Sequence, residues 1–201
     1  MLSLFIQREV FDPNMRLISS RAELSRSFIR NFLGILYRNM GRLTFSMLDV
    51  DGNTRSLDQD EVMMHCPMAQ GGGFVFTQYS YIDQWGYKIG IGLGTGTAVV
   101  SARDYCIAAI IPHGTGVGEI KYFGGNINDV VIDGSDAYFD IERIFQNGSG
   151  SSIIIKEFGL AVIAGDYSTL IIRDAYSDAG DWTTVADGEY LKVTYRIKVT
   201  V

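Results

Sequence analysis

The run Gly90-Ile-Gly-Leu-Gly-Thr-Gly-Thr is the segment closest in composition to a phosphate-binding loop. A dinucleotide fingerprint needs a third glycine where Thr95, Thr97 or Val99 stands, depending on the start chosen. No Lys-Ser/Thr ending and no helical pattern follow it to present an N-terminus to an anion. Its alternating glycines suit a strand approached closely by another element, ending in a turn. Asp49-Val-Asp-Gly-Asn hints at calcium, but an EF-hand loop needs glycine where Thr54 stands and glutamate where Asp60 stands. A solvated turn is the expectation there. His65, His113, Cys66 and Cys106 are the only imidazoles and thiols, and none shows CxxC or HxxxH spacing. His65 and Cys66 are adjacent and would point to opposite faces of a strand.

Nucleophilic catalysis fares no better. There is no GxSxG elbow, and Ser149 in Asn147-Gly-Ser-Gly-Ser sits in a glycine-rich link too flexible to hold a nucleophile. The same triplet matches a glycosylation acceptor, without a secretion signal to give it meaning. Asp140 with Glu142 and Asp133 with Asp136 are carboxylate pairs that read as solvated strand residues. No catalytic residue, metal ligand or cofactor site is assigned. Aromatic side chains remain: Tyr79, Tyr81 and Trp85 in one stretch and Trp182 in another. On loops at one end of a β domain, Tyr81, Trp85 and Trp182 are candidates to stack on a sugar.

The elements that would position these residues are mostly strands. Residues 190–201 alternate, with Leu191, Val193, Tyr195, Ile197 and Val199 on one face and Lys192, Thr194, Arg196, Lys198 and Thr200 on the other. Its basic stripe fits a wet face, a charged edge against misassembly, or ion pairs with acidic neighbours. Further strands are expected at 74–79, 87–93, 105–111, 119–123, 130–132, 137–145, 153–163 and 167–173, linked by Gly, Asn, Asp and Ser clusters. Residues 137–145 and the segment from Ile153 read as a hairpin. That second segment has no clean wet face, so burial on both sides is expected.

One helix is expected over 20–40. Ser20 with Glu23 has capping-box spacing, Leu24, Phe28, Phe32, Ile35 and Leu36 recur at three and four, and Gly41 can stop it. Phe28, Phe32 and Leu36 are candidate assembly contacts, with the monomer core as the alternative. The fold class is therefore all-β: an antiparallel, jelly-roll-like β-sandwich over 71–201, preceded by a helix and connecting segment over 1–70, with Gly71-Gly-Gly as the joint.

Composition bounds the partners. The chain has 201 residues, 47% of them hydrophobic, and a net charge of -6, which suits a folded protein and supplies no basic domain for phosphates, so no nucleic acid is expected. No apolar run approaches the roughly 18 residues of a membrane span. The start lacks signal-peptide character, so synthesis in a cytoplasm is expected.

Several stretches carry a resemblance. They are Ile91-Gly-Leu-Gly-Thr-Gly-Thr-Ala-Val-Val-Ser, Asp104-Tyr, Ile155-Lys-Glu-Phe-Gly-Leu, Leu170-Ile-Ile-Arg-Asp-Ala and the run from Val185 to Val199. With Ser27-Phe-Ile-Arg-Asn-Phe-Leu, they resemble segments of structural proteins of tailed bacteriophages. Ile172-Arg173-Asp174 stands where Ala-Arg-Asp is usual, a mild departure. The resemblance implies a non-enzymatic virion component of β-sandwich type at the neck, collar or tail. It also implies assembly as a homo-oligomer in symmetric copies with other virion proteins. The alternatives are a capsid decoration protein and an adhesin that binds a host-surface glycan.

Overall fold

The computed structural model describes residues 1–25, 27–41, 44–57, 90–164 and 167–201, and they are mostly β. The strands are β1 (Leu2–Phe11), β2 (Leu17–Ser25), β3 (Phe45–Leu48), β4 (Thr54–Leu57), β5 (Gly90–Gly94), β6 (Lys121–Ile127) and β7 (Val131–Asp133). They continue with β8 (Asp136–Gln146), β9 (Ile153–Ile155), β10 (Glu157–Ala164), β11 (Tyr167–Ala175), β12 (Thr183–Val185) and β13 (Tyr190–Thr200). One α-helix, α1 (Arg30–Gly41), lies between β2 and β3, and a 3-10 turn spans Ala179–Asp181.

The expected helix over 20–40 is corrected: the N-terminus is a β-hairpin, and the helix begins only at Arg30. Asp12-Pro13-Asn14 makes the reversal, with Asp12 Oδ1 accepting from the Asn14 and Arg16 amides at 2.8 Å each. Met15 takes the left-handed conformation at φ 61°. Ser20 and Glu23 therefore cap nothing. Glu23 pairs with Arg8 on the neighbouring strand, and the Ser20 hydroxyl lies 3.5 Å from Gln7 Nε2. A tertiary partner for Glu23 outweighed a local cap.

The large sheet runs β2-β1-β13-β8-β6, with β7 also on β8. The last strand is thus an interior strand, hydrogen-bonded to β1 along one side and β8 along the other. That removes the charged-edge reading of its basic stripe. Lys192 pairs with Glu142 at 2.6 Å, Arg196 with Asp140 at 2.7 Å and Lys198 with Asp136 at 3.0 Å. Strands from both sides of residue 70 share this sheet, so residues 1–25 are part of the β architecture; the proposed joint at 71–73 lies outside the described residues.

A second sheet has the order β11-β10-β5, and β9-β12 and β3-β4 form two-stranded pairs. Every strand-to-strand pairing among the described residues is antiparallel. Ile153–Ile155 pairs with β12 and β10 pairs with β11 and β5, so the hairpin expected between 137–145 and Ile153 does not form. The absence of a wet face holds for β10, all eight residues of which are buried, and not for β9, where Ile154 is 42% exposed. Residues 105–111 form no strand; they are a loop laid against β5, with the Ile111 amide donating to Leu93 O at 2.8 Å.

Both larger sheets feed one hydrophobic core. Leu4, Ile6 and Val10 of β1, Leu191, Val193 and Tyr195 of β13, and Phe145 of β8 meet Ile91 and Leu93 of β5 and Phe158 and Leu160 of β10. Gly94 of β5 serves the packing role read from the sequence. A Cβ on Gly94 would sit 2.6 Å from Ile107 Cγ2 and 2.9 Å from Ala109 O, so only glycine admits the loop.

Candidate functional site

The helix offers the most exposed apolar surface on one regular element. Its inner side is fixed by Asn31, whose Nδ2 donates to Leu48 O and Leu170 O at 3.2 Å each, and by buried Phe32 and Ile35. Gly34 allows Phe45 of β3 to press directly against the helix backbone; any Cβ there would lie inside that ring. On the outer side Leu33 (63% exposed), Leu36, Tyr37 (56%) and Met40 (88%) recur at three and four residues. A helix packed only on its own sheet carries polar residues there.

The sequence-derived contact residues divide across this helix. Phe28 and Phe32 stack at 4.1 Å between ring centroids and pack against the core, and Phe28 bridges to Ile172 of β11. Leu36 is exposed on the outer stripe. Trp182 is already engaged: its Nε1 donates to Tyr176 O at 3.0 Å, and Lys156 Nζ sits 4.0 Å from the ring centroid. Tyr81 and Trp85 lie outside the described residues, as do Tyr79, His65 and Cys66.

Asp49 closes the β3–β4 turn. Burial opposes its ionisation, but Arg55 at 2.7 Å and the Asn53 and Asp51 amides more than offset that and hold its carboxyl below the usual range. His113 Nδ1 accepts from the Tyr122 amide at 3.0 Å. Among the described residues, no group of three or more His, Cys, Asp or Glu side chains is placed to hold a metal ion. Cys106 is a free thiol pushed up by burial, the wrong direction for a reactive thiolate. Asn147 is fully buried, and its Nδ2 donates to Ser151 O at 2.7 Å and Val185 O at 2.8 Å, so its amide is structural.

Two buried ionic clusters went unread in the sequence. Arg173 of β11 donates from Nε to Glu157 at 2.7 Å, from Nη1 to Asp104 at 2.7 Å and from Nη2 to Ala98 O at 3.2 Å. Glu157 in turn accepts from the Ala108 and Ala109 amides at 2.7 and 3.3 Å. This cluster fastens the loop after β5 to the second sheet. Its neighbour Asp174 faces the other way, accepting from Ser25 at 2.8 Å, Ser27 at 2.6 Å and Tyr195 at 2.9 Å. Burial raises the Asp174 carboxyl despite these three donors, and burial beside Asp174 raises the Tyr195 phenol. Arg8 completes the second cluster, pairing with Glu23 and lying 4.5 Å from the Tyr176 ring centroid.

In Ile172-Arg173-Asp174 the departure from the usual phrasing is Ile172 alone; the structure makes Arg173 and Asp174, which match it, hubs of the two clusters. Alternation along β11 sends the two side chains to opposite faces, which is the signal that could have found them. These clusters tie sheets and loops together, and each polar partner is a neighbour in the same chain. No family model, curated protein or solved structure matches this chain.

Proposed function

We propose that the protein is a non-enzymatic structural component of a tailed-phage virion, made in the host cytoplasm and assembled in symmetric copies at the neck, collar or tail. The observation that carries the assembly reading is the exposed apolar stripe Leu33, Leu36, Tyr37 and Met40 on a helix whose opposite side is already packed. Burying such a stripe against a neighbour removes apolar surface from water, at about 25 cal/mol per Å². The virion assignment itself is supported by the sequence resemblance of the segments quoted above. Two antiparallel sheets that share one core support the β-sandwich that the resemblance implies. Ion clusters centred on the buried Arg173 and Arg8 fit a rigid scaffold. In this reading the partners are copies of the chain and other virion proteins.

The test has two arms. Mass measurement in solution on the wild type and on Leu33→Glu/Tyr37→Glu should give a discrete ring for the first and a smaller species for the second. Labelling of purified particles should place the chain at a symmetric position. An oligomer indifferent to the double substitution would remove the helix from the interface, and absence of the chain from particles would overturn the virion assignment.

A further inference from the structure

We propose that β2 is a self-association edge: it pairs antiparallel with β2 of a second copy, about a two-fold axis at Ala22. This goes beyond the virion reading and holds with or without it.

Hydrogen-bond parity decides which backbone groups of β2 are free. Met1 and Thr200 exchange both of their backbone bonds, the Thr200 amide donating to Met1 O at 2.9 Å. In an antiparallel ladder such pairs alternate, so the odd-numbered residues of β1 bond β13 and the even-numbered ones bond β2. The Val201 amide donating to Ser135 O at 3.1 Å, on the other side of β13, agrees with that phase. Leu4, Ile6, Arg8 and Val10 therefore bond Ser25, Glu23, Arg21 and Ser19. The backbone N–H and C=O groups of Ser20, Ala22 and Leu24 then point away from the sheet. No strand pairs with that side of β2 among the described residues.

The other edges are managed. Residues 27–29 run along β11, with the Ile29 amide donating to Ile171 O at 3.1 Å. The loop after β5 covers β5. At the far edge of the large sheet, β6 carries a register shift between Tyr122 and Gly125, and β7 has only three residues. β2 has a register shift only at its start, opposite Val10 and Phe11; from Ser19 to Ser25 it pairs regularly with β1 and holds no proline or lysine. Native edges that pair with nothing are usually blunted by such devices.

The sequence of β2 complements itself. With Ala22 opposite Ala22 of the second copy, Arg21, which pairs with Asp181 and Glu23 in its own chain, also comes opposite Glu23 of that copy, and the reciprocal juxtaposition forms by symmetry. Ser20 and Leu24 exchange backbone bonds across the axis. Leu24, 54% exposed, shares the outer face of β2 with Ala22 and Ser20 and falls beside Ser20 of the second copy. Sliding the register by two residues in one direction would instead set Arg21 against Arg21. Charge selects the register.

The experiment uses Ala22→Pro and Ala22→Cys in the full chain. Proline removes an N–H that no neighbour among the described residues receives, so the fold should be retained. Expected are a wild-type oligomer built on pairs of the 22.3 kDa chain, a twofold fall in mass for A22P with unchanged circular dichroism, and a disulfide-linked dimer of A22C under mild oxidation. An antiparallel bonded pair places the two Cα atoms about 5.5 Å apart, within disulfide range. A wild-type mass that A22P leaves unchanged, or an A22C chain that stays uncrosslinked, would overturn the proposal. Should A22P fail to fold, the A22C crosslink decides alone. Glutamate substitutions on the outer stripe of α1 leave that crosslink intact, so failure here and failure of the helix interface read out separately.

Discussion

Arg8 and Arg173 are equally buried, each at 2% exposure, yet their surroundings differ in kind. Arg173 has a partner at each nitrogen, two of them carboxylates, one of which (Glu157) is 0% exposed. Arg8 keeps one carboxylate, Glu23, which is 25% exposed, and a carbonyl, Asp181 O, at 2.8 Å. Its Nε has no partner, and its flat face rests on aromatic rings, 4.5 Å from the Tyr176 centroid and 5.3 Å from Phe158. One arginine is an ion-pair hub holding a loop; the other acts as a stacked plate under the edge strand. Burial alone does not fix what a buried charge contributes. Its partners' access to water does.

The contrast can be broken most directly by replacing each arginine with methionine. Arg173→Met strands Glu157 without a counter-charge and should cost about 3–5 kcal/mol, with proteolysis appearing in the loop after β5. Arg8→Met leaves Glu23 able to hydrate and retains contact with the two rings, so about 1–3 kcal/mol is expected. Denaturant midpoints at unchanged m-value check both. An Arg8→Met loss as large as that of Arg173→Met would collapse the distinction.

Asp174 sharpens it through pH. Its native carboxyl is raised by burial above the unfolded value, so the native state holds the proton more tightly. Its contribution is fully present below the ordinary carboxylate range and is lost as pH rises through the raised native value. Relative to Asp174→Asn, the wild type should therefore gain stability as pH falls from neutral towards that range. Melting temperatures of the two chains compared at each pH check the sign, and the common acid effects on Asp49 and Asp136, both lowered, cancel in the difference. A difference that does not vary with pH would mean that Asp174 is not raised.

The smallest effect belongs to the ladder on the wet face of β13. Asp140→Asn breaks a two-point contact with Arg196 that is screened by solvent, and a loss below about 1 kcal/mol is expected. A larger loss would place that face in a covered environment, such as a subunit contact.

Period-two alternation made β13 legible from Leu191 onward, and the glycine run was correctly read as packing because no anion-binding context followed it. The first hairpin was hidden by Arg8, a charge on the inward face of β1, which interrupts Leu4, Ile6 and Val10. Asp12-Pro13-Asn14 was the available turn signal. The helix was read as starting ten residues too early because Ser20 and Glu23 have cap spacing. That spacing is a local preference, and the Arg8 partner sits on another strand.

By itself the sequence determined a β-rich chain with a helix across Phe32 and Ile35, and a final strand with one apolar and one charged face. Side-chain periodicity is local, so it survives in the linear order. Tertiary structure decided that β13 is an interior strand whose charged stripe is paired, that Arg173 and Asp174 serve opposite faces of β11, and that, among the described residues, the helix and β2 keep apolar or unpaired surface outward. Those facts depend on which strands become neighbours, and antiparallel pairing over long sequence separations is set by collective burial that no local spacing records.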